Sequence, residues 1–154
     1  MSKPILNNLA KELLKEPVYI SLWNFSQQLK EGTEAIDTKV GDICLFDYGL
    51  AYQYEAGFQH LGLILSISKS KLFVIPMTSN QSTYQKSKVS ENLFALPKFG
   101  NLKKDSALFL NDAKYVSSRR AIKVIDHIDK GCGIFRQIKK EVIDLIEKGS
   151  EENS

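Results

Sequence analysis

The sequence predicts an α+β domain, mainly β with helices: a small β-barrel or strongly bent sheet, with helical segments at its two ends. Three observations carry this expectation. Apolar residues recur at three- and four-residue steps near both ends of the chain. The stretch between them shows short apolar runs punctuated by glycine, proline and polar turns. These runs follow one another without the crossover helices that a parallel α/β fold requires. On this pattern residues 1–38 form a helical N-terminal extension and residues 39–150 the barrel domain.

In the extension, Leu6, Leu9, Leu13 and Leu14 share one helical face. Pro17 interrupts, because the residue before a proline avoids the helical region. A second stripe follows, Val18, Leu22, Phe25 and Leu29 with Trp23 beside it, and its Leu22, Phe25 and Leu29 are expected to pack on the barrel. Glu31-Gly32-Thr33 ends this helix, glycine being favoured just past a helix terminus.

The middle of the chain changes period. Asp42 to Tyr48 reads as a strand between Gly41 and Gly49, followed by an aromatic loop over 50–59. Leu61 to Ile67 is a nearly continuous apolar run, which predicts a strand buried on both faces. After the turn at 68–71, Leu72 to Met77 is a third strand. Its Pro76 cannot donate to a ladder, which predicts an edge or a bulge there. Residues 79–92, polar and rich in Ser, Gln and Lys, read as a long functional or mobile loop. Further strands are expected at 92–96, 106–110, 114–116 and 121–125. Ile134, Ile138, Val142 and Leu145, with Phe135 and Ile146 flanking, predict a closing helix that stops at Gly149.

Composition narrows the class without choosing a function. With 154 residues, 43% apolar and 25% charged, the chain is one globular domain long enough for a core, not a disordered, collagenous or disulfide-dense chain. No run approaches the ~18 apolar residues of a membrane span, and no secretory signal is visible. Cys44 and Cys132 lie 88 positions apart and match no metal spacing, so reduced thiols in the cytoplasm are expected. The net charge of +3 is unevenly spread: residues 39–130 carry 13 basic and 8 acidic groups, whereas each flank carries four and five. An anionic ligand would therefore bind the middle, although a solvated lysine-rich surface explains the same excess.

Four segments in order resemble the MazF/PemK toxin family: Lys39-Val40-Gly41-Asp42-Ile43; the loop with Glu55 and Gly57 leading into the strand from Leu61; Ile75-Pro76-Met77-Thr78-Ser79-Asn80, which matches the family's Pro-x-Thr-Ser element; and Asp112 to Arg120, similar to its Gln-Ile-Arg-Thr segment and the arginine after it. Leu102-Lys103-Lys104-Asp105-Ser106 also resembles the family's segment before its penultimate strand. The resemblance covers residues 39–146 and leaves the N-terminal extension outside. It implies an SH3-like barrel and a homodimeric toxin of a type II toxin–antitoxin system. It further implies metal-free cleavage of single-stranded RNA at short sequences, a cognate antitoxin partner, and DNA binding through the toxin–antitoxin complex. No cofactor and no membrane are implied. CcdB, a related toxin of the same fold, poisons DNA gyrase instead.

Metal-free RNA cleavage uses the substrate's 2′-OH as nucleophile, and needs proton transfer and donors for the charged phosphorane. The resemblance places Thr78 as a phosphate donor. It places His60 where the family has arginine, with Leu61 where proline is usual. Histidine exchanges a proton near neutral pH but carries less permanent charge than arginine. Lys114, Arg119 or Arg120 must then supply that charge. The expected catalytic set is thus His60, Thr78 and Arg120. The expected RNA contacts are Glu55, Ser79, Asn80, Lys114 and Arg119, with Tyr52 and Tyr54 stacking on bases. Each residue also has a plain structural role open to it: Thr78 as a turn cap, Arg120 in an ion pair, Glu55 as a solvated loop residue or as the group orienting His60. Asp126, His127 and Asp129 lack a convincing metal geometry, and His127 reads as surface. A non-catalytic RNA- or partner-binding module and a gyrase inhibitor remain the alternatives.

Overall fold

The computed structural model describes residues 15–152; the leucine stripe at 6–14 lies outside them. The chain runs α1 (Pro17–Gln28), β1 (Asp42–Asp47), β2 (Gln59–Ser68), β3 (Lys71–Thr78), α2 (Gln81–Ser87), β4 (Leu93–Leu96), β5 (Ser106–Phe109), β6 (Lys114–Ser117), β7 (Ala121–His127) and α3 (Gly133–Glu152). Single 3₁₀ turns at Leu110–Asp112 and Ser118–Arg120 flank β6.

All pairings are antiparallel, in the order β4-β5-β3-β2-β1-β7, with β6 paired to β3 beside this path. Among the described residues β4 and β7 do not pair with each other, so the sheet is open and bent rather than a closed barrel. Both faces are covered, as the apolar run of β2 predicts. Ile43, Leu63, Leu65, Ile75 and Met77 join Phe135, Ile138 and Val142 of α3 in one core. Cys44, Phe46, Tyr48, Ile64, Leu72 and Val74 join Val116 and Ala121 in the other.

β3 is the central strand, which corrects the edge expected at Pro76. One side of β3 pairs with β2. On the other, Lys71 to Val74 pair with β6, and Met77 and Thr78 pair with β5. Pro76 sits where one neighbour hands over to the next, so its missing N–H falls between the two partners. Pairing then resumes and holds Thr78 at the strand end.

Three further expectations change. Residues 81–87, read as loop, form the short helix α2. The side chain of Asn80 caps it by accepting from the Thr83 N–H at 3.0 Å. The helix buries Tyr84 and Ser87, too little apolar surface to leave a stripe in the sequence. α3 continues through Gly149, which has no left-handed φ there; a glycine in this conformation only weakens a helix. The buried face of α3 is Phe135, Ile138 and Val142, whereas Ile134 and Ile146 are exposed.

α1 begins with Pro17 in its first turn, where no N–H is needed. It does not pack through its apolar stripe: Leu22, Trp23, Phe25 and Leu29 are 54–69% exposed. Leu22, Phe25 and Leu29 instead line an open groove of about 410 Å³ facing Ile36, Leu50, Arg119, Arg120 and Ile122. The helix docks by polar contacts to the buried Asp47. Ser21 Oγ and Asn24 Nδ2 each donate to its carboxylate at 2.6 Å, while Gln59 Nε2 and the Gly49 N–H donate at 3.0 Å. Burial alone would raise this carboxyl, but the four donors outweigh it and hold Asp47 below its ordinary value of 3.8.

The depressed value fixes the sign of a pH effect. A carboxyl stabilised in the folded state adds stability above its unfolded value, and that stability is lost as pH falls through the folded value. Asp47→Asn should cost about 2 kcal/mol at pH 7, because donors that faced a carboxylate meet an amide. The gap between wild type and variant should be fully open above 3.8 and narrow below it. Urea unfolding of both proteins in steps from pH 7 to pH 2.5 checks this; an equal gap across that range would refute it.

Candidate functional site

The two foremost candidates lie just past the paired stretch of β2 and β3. Gly62 with Pro76 is the last matched pair; His60, paired with Phe46 of β1, stands two residues before Gly62, and Thr78, paired with Ala107 of β5, two residues after Pro76. Side chains alternate along a strand, so both lie on the face of Ile64 and Val74. Lys114 pairs with Val74 across β6 and joins the same face, its Nζ 5.2 Å from the centre of the Tyr48 ring. Gly62 makes room for this arrangement. A Cβ there would collide with the Tyr48 hydroxyl and with Val74, and the hydroxyl instead donates to the Leu61 carbonyl at 3.2 Å. Burial, reinforced by the charge of Asp112 and then by Cys44, pushes the Tyr48 phenol up, so it stays protonated.

His60 is exposed, and its Nδ1 lies 2.6 Å from the Gly57 carbonyl. A carbonyl only accepts, so Nδ1 donates to it, and in the neutral ring this tautomer puts the lone pair on Nε2. Glu55 does not orient this ring. Its Oε1 accepts from the Tyr52 N–H at 2.9 Å and closes a turn of the loop. The loop from Tyr48 to Gln59 is sharply bent: Gly49, Tyr54 and Phe58 all have left-handed backbones. Tyr48 N donates to Phe58 O and Phe58 N to Gly49 O, joining its two limbs at 2.7 and 2.8 Å. At its tip Tyr52 and Tyr54 are 88% and 92% exposed.

Thr78 is half-buried, and its Oγ1 accepts from the Asn80 N–H at 3.2 Å, which leaves its own hydroxyl proton free to donate. Asn80 is committed to capping α2, and the Ser79 carbonyl accepts from Gln81 Nε2.

The arginines sit on the α1 side of the loop. Arg120 Nη1 donates to the Asp47 carbonyl at 3.0 Å, close against Gly49. Arg119 Nη1 donates to the Thr33 carbonyl at 2.9 Å and to Gln28 Oε1 at 3.2 Å. Among the described residues neither guanidinium forms an ion pair with a carboxylate. Lys114 does: its Nζ is 3.3 Å from Asp112 Oδ1 and 3.4 Å from the Ala56 carbonyl.

Asp112 is the residue that sequence reasoning left without a role. Its other oxygen accepts from the Ala56 N–H at 2.7 Å. The two partners lie 56 positions apart, and no local pattern signals such a contact. His127, read as surface, instead holds its Nδ1 2.8 Å from the buried Asp42 and ties β7 to β1. No cluster of His, Cys, Asp or Glu suited to a metal occurs among the described residues. Burial, then the charge of Asp42, pushes the Cys44 thiol up to about 12, so it is not a nucleophile.

The likeness of the chain to solved structures settles the architecture. It resembles MazF (form I) from Deinococcus radiodurans with a TM-score of 0.55 and 16% identity, over 75% of this chain and 99% of that one. The fold is MazF-like. The MazE–MazF complex (form II) from the same organism matches with a TM-score of 0.51 and 14% identity, over 71% of this chain and 96% of that chain. No protein-family model and no curated protein sequence matches the chain. Among the described residues no helix is long and apolar enough to cross a membrane.

Within the MazF-like fold, the carbonyl aiming His60 depends on close packing at Gly57. A Cβ there would lie 2.7 Å from Ala51 Cβ and 3.2 Å from the Gly49 carbonyl. Gly57→Ala should therefore cost about 1–3 kcal/mol, as overpacking does. It should also displace the carbonyl from His60. Thermal melts, with the ¹⁵N shifts of the His60 ring, check both effects; an unchanged melt with unchanged shifts would count against this packing.

Proposed function

We propose that this protein is the toxin of a type II toxin–antitoxin system, a metal-independent, sequence-specific endoribonuclease acting on single-stranded RNA. The observation that carries the reading is the exposed His60 ring, its Nδ1 hydrogen-bonded to the Gly57 carbonyl, on the strand neighbouring the one that ends in Thr78. The likeness of the fold to MazF supports it.

In the proposed reaction Nε2 of neutral His60 takes the proton of a ribose 2′-OH. The oxygen attacks the adjacent phosphorus, and the Thr78 hydroxyl donates to a non-bridging oxygen as charge builds there. The P–O5′ bond breaks, the 5′-oxygen takes a proton from water, His60 returns its own to the solvent, and the products end in a 2′,3′-cyclic phosphate and a 5′-OH. Proton transfer and charge stabilisation suffice for these steps. Arg120, with Arg119, supplies the permanent charge, and Lys114 lines the same face as His60. Ser79, Asn80 and Glu55 frame the substrate path. Tyr52 and Tyr54, exposed at the loop tip, stack on splayed bases. A homodimer in the cytoplasm, blocked by a cognate antitoxin and contacting DNA through that complex, completes the proposal; the likeness to the MazE–MazF complex supports the antitoxin. Residues 1–38 are its helical extension and 39–150 its barrel-like domain.

One observation favours a second reading, a non-catalytic RNA-binding module of the same fold. The two arginines are engaged within the chain, Arg119 by Gln28 and Thr33 and Arg120 by the Asp47 carbonyl. Incubation of the purified protein with single-stranded RNA in EDTA separates the readings. Cleavage leaving 5′-OH ends is expected, with His60→Ala and Thr78→Ala each slower by about 10²-fold. Binding that weakens steeply with salt but yields no product would establish the module instead. Equal cleavage by both variants would remove His60 and Thr78 from the mechanism.

A further inference from the structure

We propose that Asp112 is the positioning residue of the His60 site, and that with Lys114 it clamps the backbone at Ala56 so that the Gly57 carbonyl fixes the imidazole. As a claim about cleavage this rests on the endoribonuclease reading; as a claim about the ring it stands alone.

Both polar groups of Ala56 are taken by one ion pair. Its N–H donates to Asp112 Oδ2 at 2.7 Å, and its carbonyl accepts from Lys114 Nζ at 3.4 Å. The pair is closed by Asp112 Oδ1, 3.3 Å from Lys114 Nζ, with side chains 14% and 28% exposed. The next residue, Gly57, presents the carbonyl that lies 2.6 Å from His60 Nδ1. Phe58, on the other side of Gly57, is held by Tyr48 and Gly49, so the clamp at Ala56 fixes the second end of the peptide segment that carries the Gly57 carbonyl, in a loop that holds two non-glycine residues in left-handed conformations.

The clamp is anchored to the strand that carries Thr78. Asp112 ends the 3₁₀ turn between β5 and β6, and both of these strands pair with β3. Lys114 pairs directly with Val74 of β3. Asp112 thereby ties the carbonyl that aims the base to the frame that holds the hydroxyl donor. Lys114 belongs to the same device: with Asp112 against its ammonium and the Tyr48 ring 5.2 Å away, its charge serves the loop before it serves a phosphate.

Two measurements test this in the full chain. The first needs no activity: long-range ¹H–¹⁵N spectra of the neutral His60 ring. Wild type should hold the Nδ1–H tautomer, whereas Asp112→Ala should admit a substantial population of the Nε2–H form. The second is kinetic. Asp112→Ala should lower kcat for RNA cleavage about 10- to 100-fold with KM changed less than about twofold, as misaimed catalytic groups do. In a His60→Ala background the same change should cost nothing further, because a residue acting through His60 has nothing left to position.

Lys114→Met should reproduce the tautomer shift in part. Should Asp112→Ala not fold, Asp112→Asn, which keeps an acceptor for the Ala56 N–H but breaks the ion pair, is read in its place and should give a smaller shift in the same direction. An unchanged tautomer in the folded variants would overturn the proposal, as would equal losses in the wild-type and His60→Ala backgrounds. If wild type cleaves no RNA, the endoribonuclease reading falls alone, and the tautomer measurement still decides whether Asp112 positions the ring.

Discussion

The buried carboxylate of Asp47 organises one end of the molecule. It closes β1 and receives donors from α1, from the turn at Gly49 and from the first residue of β2. A lone buried carboxylate would be strongly unfavourable; four donors make it a junction instead. α1 is attached by polar contacts, at this junction and through Gln28 to Arg119, while Leu22, Trp23 and Phe25 remain exposed. Because Asp47 also fixes Gly49, it sets the root of the loop that returns to His60. The helix at the front of the chain and the geometry at the imidazole therefore share one anchor.

The other structural decision is taken at β3. A strand with β2 along one side and two successive partners along the other is fixed in register three times over. Pro76 fits such a strand only at the handover, and there it does. The consequence is local: Met77 and Thr78 are held by β5 while Lys71 to Val74 are held by β6, so the end of β3 is as ordered as its start.

The sequence made the strands legible because each is a compact apolar run between turn residues, and β1, β2 and β3 lie within a residue or two of where those runs fall. It misled wherever polarity, not apolarity, decides the structure. α2 exists through the Asn80 cap and hides in a polar stretch. α1 docks through Ser21 and Asn24, while its conspicuous leucine and phenylalanine stripe faces a groove. Gly149 reads as a stop only if its φ turns positive, and it does not. Among the candidate residues, His60 and Thr78 are singled out by motif order and proton chemistry; the Gly57 carbonyl on the His60 ring and the contact between Asp112 and Ala56, which spans 56 positions, have no periodicity to announce them.

The loop between β1 and β2 is thus gripped by carboxylates at two points, Asp47 at its root and Asp112 near its far limb, and each grip draws a cation with it. Arg120 leans on the carbonyl of Asp47, and Lys114 pairs with Asp112. These cations are not equivalent. Lys114 is compensated by its carboxylate, whereas Arg119 and Arg120 are held by carbonyl and amide oxygens that leave their charge unneutralised. Arg119 and Arg120 line the same groove as Leu22, Phe25 and Leu29, so the exposed apolar face of α1 and these two guanidinium groups belong to one surface.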